Sequence, residues 1–469
     1  MLGQERTSRV TTVPATTPTV VRGGRLPDRP EYGAVDVLVA EGRILRVVDA
    51  GTLDAPICLD IDGAWLLPGF VDAHVHPIHA ETLSSVGNAA PANGITTVLN
   101  HFYPRSDESL LEAAGRARRE ASYGVADYGF HVRVTPDRLD PRGRQQSLKD
   151  QLRSIATAPG VVSVKAFLAH TDPTVMVTAA QLTHVLHVAS LAGLPVVVHA
   201  EPGDVLAVLD GLEGTANSLI EHDRRRAPDL EAATVALAAA VARAVRARLY
   251  VAHLSSEMAV EAVSRARALG TSVRGETCVH YMALDSSAPL GSLGRVAPPL
   301  RPASSVAAMR RLATDPHSGI DVVASDHCGY AAEEKPLDDF AHAGNGLPGL
   351  ESLVPLLLDA VLGDGWLTPS DVVRLTARGP AETFGLVSKG RIEPGADADL
   401  VVVDPSGTTR LGTTPSGPST AHSPYGERRV RGAVTHVLRR GVLLVSESEP
   451  TDAARQGGGA PVERQEPSW

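Results

Sequence analysis

Cysteine is scarce. The 469 residues hold three, Cys58, Cys278 and Cys328, far apart and in no CxxC pair. That excludes a disulfide framework and suits a reducing compartment, so a cytoplasmic protein is expected. Positive charge is not in excess either: 44 Lys and Arg stand against 54 Asp and Glu, for a net charge of −10. A general nucleic-acid binder would carry a basic face, and none is signalled. Long apolar runs are missing too. The most apolar stretch, 232–254, is broken by Arg243, Arg246 and Arg248. A membrane span needs about 20 apolar residues with few charges, so none is predicted. The first twenty residues lack an apolar core, which predicts no signal peptide.

What is present is enough hydrophobic sequence (43%) to bury a full core. The 43 glycines and 34 prolines imply many short turns rather than a helical bundle. Residues 1–17 are expected to be a flexible lead, and residues 447–469, polar and glycine-rich, a disordered tail. Near both ends of the remaining chain lie β-rich runs: 35–48, with a Glu41-Gly42 hairpin signal, then 397–404 and 434–445. Neither end has enough strands to close a sheet alone. A small β-sandwich from 18–65 and 386–446 is therefore predicted.

Residues 66–385 alternate short β-rich runs with longer Ala/Leu/Arg stretches of helical character. Eight strands are predicted: Gly69–His74, Ile95–Asn100, Asp127–Val134, Val161–Leu168, Leu194–His199, Leu249–His253, Thr271–Glu276 and Ile320–Asp326. Alternation of this kind builds right-handed βαβ units on a parallel sheet. Eight units over this length fit an α/β fold of the (β/α)8 barrel type, whose active sites lie at the C-terminal strand ends.

Polar residues gather at those ends. His74 and His76 close the first strand in DAHVH (72–76), and residues two apart on a strand share a face. Lys165 lies in the fourth run. His199, His253 and Asp326 end the fifth, sixth and eighth. Singly, each has an ordinary reading as a turn residue, a helix cap or an ion-pair partner. Four histidines and an aspartate at one barrel mouth together point to metal. Neutral imidazoles and a carboxylate suit Zn2+ and similar ions. The set exceeds the roughly three protein ligands of a single catalytic zinc, so two ions sharing a hydroxide fit better. Lys165, a cation at its usual pKa of about 10.4, would be driven neutral by desolvation beside two cations. It could then add CO2 to become a carbamate that bridges both ions.

With these residues in view, the chain resembles the cyclic amidohydrolases of the amidohydrolase superfamily, most closely the dihydropyrimidinase/hydantoinase branch. The matching motifs include LPGFVDAHVH (67–76), ADYGFHVRV (126–134), VKAFLAH (164–170), VVVHAE (196–201), VAHLSS (251–256), GETCVHY (275–281), APPLR (297–301), ASDHC (324–328), GLPGLE (346–351) and GRIEPGADADLVVVDP (390–405). The resemblance spans about residues 19–445. It implies a TIM-like barrel with a β-sandwich, and hydrolysis of the C–N bond of a cyclic amide, imide or ureide. It also implies two divalent ions, zinc foremost. His74, His76 and Asp326 would hold one ion, and His199 and His253 the other. Carboxylated Lys165 and a hydroxide would bridge them. Asp326 would also be the general acid/base. Backbone contacts to substrate would come from Ala297 and Asn345. Relatives are commonly homotetramers or homodimers, and the resemblance implies the same here.

Three departures are visible. The branch usually places a tyrosine five residues after the lysine, where its hydroxyl steadies the oxyanion; here that position is His170, either a substitute donor or a solvated loop residue. Dihydroorotases carry an arginine directly after the HxH, and Pro77 here argues against dihydroorotate. The stretch from His76 to Gly94 is short, and holds His79 and Glu81 in place of aromatic residues; the two either meet a polar substrate or are ordinary exposed loop polarity. Arg295 and Arg301 are expected to pair with acids rather than meet an anion at the mouth, and His280 is expected to be structural. Allantoinase is the nearest alternative enzyme, and another specialised cyclic-amide hydrolase is a further one. A non-catalytic dihydropyrimidinase-like scaffold is the alternative of another class, and the complete ligand set opposes it.

Overall fold

The structure, a computed structural model, describes residues 18–53, 55, 57–139, 147–169, 172–412 and 423–469. One of its two sheets is parallel. Its strands are Phe70–His76, Ile95–Phe102, Asp127–Arg133, Val161–Phe167, Val196–His199, Leu249–Val251, Val273–Cys278 and Val322–Ala324. They pair in sequence order. The eighth strand breaks at Ser325-Asp326 and resumes as His327–Cys328, which pairs with Val75–His76 and closes the ring. Asp72 supports the closure by accepting the Ser325 N–H at 3.1 Å. This is the expected (β/α)8 barrel.

The barrel forms because its strands are β-branched and buried on both faces, while its helices bury one stripe. The helix Leu110–Ala121 buries Leu110, Ala113, Ala114, Ala117 and Ala121, and Ser109 and Glu112 form a capping box at its start. Small residues fill the interior: Val71, Ala73, Leu99, Val162, Val197 and Ala252 pack down onto Phe384. No described helix is long and apolar enough to cross a membrane.

The second sheet joins both chain ends. Strands Thr19–Arg25, Ala34–Ala40 and Arg43–Asp49 meet Leu400–Arg410, Arg429–Arg439 and Val442–Ser446 through Trp65–Pro68, which runs antiparallel to Leu400–Val403. It has its own core, including Val21, Val37, Ile44, Leu66, Leu400 and Leu438. Where it meets the barrel, Gly69 admits no side chain: a Cβ would lie 2.2 Å from Thr96 Oγ1. Lys389 is buried there among Asp127 (2.5 Å), Asp399 (2.7 Å) and Asp397 (3.0 Å). Burial works against the charge of that ammonium, and the three carboxylates restore it.

One expectation is corrected. Residues 447–469 are not a disordered tail but lie along the barrel floor. Tyr128 exchanges backbone hydrogen bonds with Ala460 and Val462 at 3.0 and 2.9 Å, the Ala460 N–H reaches Asp127 at 2.9 Å, and Trp469 Nε1 donates to Thr383 O at 2.8 Å. Local polarity predicted disorder because the partners of this segment lie more than 300 residues away in sequence at Asp127 and Tyr128, and Val462 finds an apolar seat beside Phe384.

Candidate metal centre

The first strand carries His74 and His76 to the mouth on one face. Their Nε2 atoms lie 3.0 Å apart, and Asp326 Oδ1 is 3.2 Å from each. The orientation of each ring follows from its other nitrogen. Glu276 accepts from His74 Nδ1 at 2.6 Å, and the Tyr103 hydroxyl bonds His76 Nδ1. Both Nε2 atoms then face the mouth as lone pairs. Two lone pairs and a carboxylate oxygen within 3.2 Å repel one another unless a cation sits among them. Tetrahedral ligands at roughly 2.0–2.1 Å from a zinc ion would stand about 3.4 Å apart, close to this triangle. The donor set therefore fits a metal ion.

His199 and His253 form a second pair, their ring centroids 4.2 Å apart. Glu201 accepts from His199 Nε2 at 2.6 Å, leaving Nδ1 for an ion, and Arg226 grips Glu201 through two bonds of 3.0 and 2.6 Å. Burial works to raise the Glu201 carboxyl, but Arg226 and His199 outweigh it and hold the group below the usual carboxylate range. His253 Nδ1 is buried without a protein partner, and its backbone N–H bonds Glu276 at 3.0 Å. The His74 and His253 rings lie 5.4 Å apart, so the two pairs share one mouth. His253 (φ 40°) and Asp326 (φ 48°) are both left-handed, a strained geometry that clusters at functional sites.

Lys165 lies between these groups. Its Nζ is buried without a hydrogen-bond partner. Burial lowers it to about 8, against the opposing pull of Glu276 and Asp326. An orphaned, desolvated amine fits the carbamate expectation. Burial lowers all four histidines; the charge of Lys165 adds to it, while Asp326 pulls His76 and Glu201 pulls His199 the other way without overcoming it, and the rings stay neutral as metal ligation requires.

The remaining sequence expectations fare differently. His170 lies outside the described residues. Ala297 and Asn345 sit on adjacent loops, joined where the Gly346 N–H bonds Arg295 O at 3.1 Å; Asn345 is exposed and its carbonyl accepts from Tyr330 at 3.3 Å. Glu81 does not face a substrate but bonds the buried His327 at 2.7 Å, while His79 pairs with Glu334 at 2.8 Å. Arg301 is buried among Asp223 (2.8 Å), Ser255 (2.9 Å) and Glu231 (3.1 Å), as expected of a structural pair. Arg295 instead finds the carbonyls of Ala341 and Ala343. His280, expected to be structural, lies beside the candidate centre: its ligating atom, Cys278 Sγ and an Asp326 oxygen are all within 4.8 Å of one another.

Sequence reasoning missed His101, whose ring nitrogens are both buried and unpartnered. Its ring lies 4.2 Å from His74 and stacks on His76 at 4.5 Å. It also missed Glu276, Tyr103 and Arg226. The end-of-strand rule that found His199 would have found His101 in Ile95–Phe102. Glu276 ends the predicted strand Thr271–Glu276, so the same rule would have marked it; its role as the partner of His74 exists only through the fold.

A barrel whose mouth gathers histidines, an aspartate and a buried lysine defines a hydrolase architecture, and the comparisons agree. The chain belongs to the amidohydrolase family, which it matches over residues 65–444. It is an enzyme, a hydrolase. It is 32% identical to a D-hydantoinase of Streptomyces coelicolor, with 94% of this chain and 97% of that one covered. It is 30% identical to an allantoinase of Solibacter usitatus, covering 94% and 95%. The crystal structure of a dihydropyrimidinase from Brevibacillus agri superposes with a TM-score of 0.85 at 27% identity, covering 96% of this chain and all of that one.

Proposed function

We propose that the protein opens the C–N bond of a cyclic amide, imide or ureide, in the manner of hydantoinases and dihydropyrimidinases. The observation that carries this reading is the convergence of His74, His76 and Asp326 beside His199, His253 and an unpartnered Lys165. His74, His76 and Asp326 would hold one divalent ion, His199 and His253 a second, with Lys165, carboxylated by CO2, between them. Two zinc ions so held supply Lewis acidity and a nucleophile at neutral pH.

The chain's own residues do the rest. Glu276, Tyr103 and Glu201 fix which nitrogen each imidazole presents. Asp326 takes a proton on the carboxylate oxygen that does not face the histidine pair as water adds to the ring carbonyl, and returns it to the ring nitrogen as the C–N bond breaks. His170 is the proposed oxyanion donor. Ala297 and Asn345 present backbone groups to the ring. Cysteine usage supports a cytoplasmic location, and the resemblance a homotetramer or homodimer.

The test is ring opening by protein reloaded with zinc and bicarbonate. The panel holds dihydrouracil, hydantoin, a 5-substituted hydantoin, allantoin, dihydroorotate and a simple cyclic imide. Turnover of dihydrouracil or a hydantoin is expected. Silence on every compound with two metals bound would refute the reading.

A further inference from the structure

Arg133 ends the third barrel strand and has no role in the ring opening described above. In register it stands beside Lys165 on the fourth strand, two residues beyond His131, which is itself the partner of His101 on the second. Side chains two apart share a face, so Arg133 points into the mouth with Lys165 and His131. Its guanidinium stacks on the Tyr103 ring at 4.5 Å, and the Tyr103 hydroxyl bonds His76. The group is therefore one aromatic ring removed from the candidate metal centre.

What it lacks is an acceptor. Arg133 Nε is buried without a partner, and among the described residues no carboxylate forms an ion pair with it. Asp137 and Asp172 reach it only as a field. The other arginines around the mouth each have an acceptor: Arg226 has Glu201, Arg301 has Asp223 and Glu231, and Arg295, whose Nε is also unpartnered, has two carbonyls. A half-buried guanidinium with an idle donor costs stability unless a ligand satisfies it. A planar fork of donors matches a carboxylate in two-point geometry. Pro77, directly after the first histidine pair, brings no charge to the site.

We propose that Arg133 is a specificity residue for a substrate whose ring substituent carries a carboxylate, held against the guanidinium and the edge of Tyr103 while the ring amide lies over the histidines. This inference rests on the ring-opening reading and names its substrate class. A competing role is neutralisation of a carbamate on Lys165, its neighbour in the sheet.

The test compares 5-(carboxymethyl)hydantoin with 5-(carbamoylmethyl)hydantoin, which match in shape and differ in charge. The unaltered enzyme is expected to favour the carboxylate by roughly 10- to 100-fold in kcat/KM, mostly through KM, as a desolvated charge-assisted hydrogen bond allows. Arg133→Gln should bring that ratio to about one. Arg133→Lys keeps the charge but loses the fork, so it should retain part of the preference; it also carries the test if the glutamine variant does not fold. Equal rates on the pair in the unaltered enzyme, or an unchanged ratio in Arg133→Gln, overturn the proposal. So does loss of bound metal in both variants, which would assign Arg133 to the lysine. Turnover of dihydrouracil with neither substituted hydantoin opened overturns the anionic class alone. Silence across the whole panel removes the reading beneath it.

Discussion

Glu276 is the carboxylate on which the site turns, and Glu276→Gln isolates what its charge does. Three donors converge on it: His74 Nδ1 (2.6 Å) and the His253 N–H (3.0 Å) at Oε1, and the Tyr250 hydroxyl (2.6 Å) at Oε2. Replacing it by leucine would orphan all three, at about 1–3 kcal/mol each, and sum to about 3–9 kcal/mol against a typical stability of about 5–15 kcal/mol. A loss of that share of the total would confound folding with metal binding. Glutamine keeps every bond, with its oxygen toward the two histidines and its NH2 toward Tyr250, whose hydroxyl can turn to accept. Only the charge is lost. Burial raises the Glu276 carboxyl to about 8, and cations in the mouth would favour its ionised form. Mutating the outer-shell partner of a metal ligand typically costs about 10- to 100-fold in metal affinity, or about 1.4–2.7 kcal/mol, and the lost charge is the part that glutamine tests. Competitive zinc titration against a chelator, alongside thermal melting, should show that loss with little change in Tm. Unchanged zinc affinity and unchanged turnover in Glu276→Gln would refute the reading that the charge of Glu276 strengthens His74 as a ligand.

Other expectations can be checked together. Lys165→Ala should lose bound metal and turnover at once, whereas Asp326→Asn should abolish turnover even where metal analysis still finds some metal; a fully active variant of either kind would remove its assigned role. Truncation after residue 446 should lower Tm markedly. It exposes Phe384 and the barrel floor, and removes Val462, whose burial alone is worth about 1.5–3 kcal/mol. Acid should destabilise the fold before carboxylates titrate. Burial lowers His131 and His222 to about 3 and His280 to about 4. Above about pH 6.5 neither folded nor unfolded chain protonates them; below it the unfolded chain takes up protons the fold refuses, so stability falls as pH falls, by about 1.4 kcal/mol per pH unit for each histidine, about 4 for the three. His327, raised by Glu81 against its own burial, offsets part of this. Urea unfolding at pH 7 and pH 5.5 reads the slope, and equal midpoints would contradict it.

The sequence by itself carried the barrel and the six residues of the candidate centre. Strand alternation and end-of-strand position are local, periodic signals, and a metal ligand at a strand end is visible without knowing its neighbours. His74 and His76 could be placed on one face from their spacing alone. Which nitrogen each histidine presents could not, because Glu276, Tyr103 and Glu201 act across strands and loops. The burial that leaves Lys165 without a partner is likewise a property of the closed ring. Glu81 belongs to His327, not to the substrate mouth, and only the fold decides between those partners. The polar C-terminal segment looks disordered in isolation and is ordered by backbone groups of Tyr128 and the carboxylate of Asp127, more than 300 residues earlier. Local pattern fixes which elements form and which side chains reach the mouth. Partnership, burial and charge state arise only when distant segments meet, and there the tertiary structure alone decided.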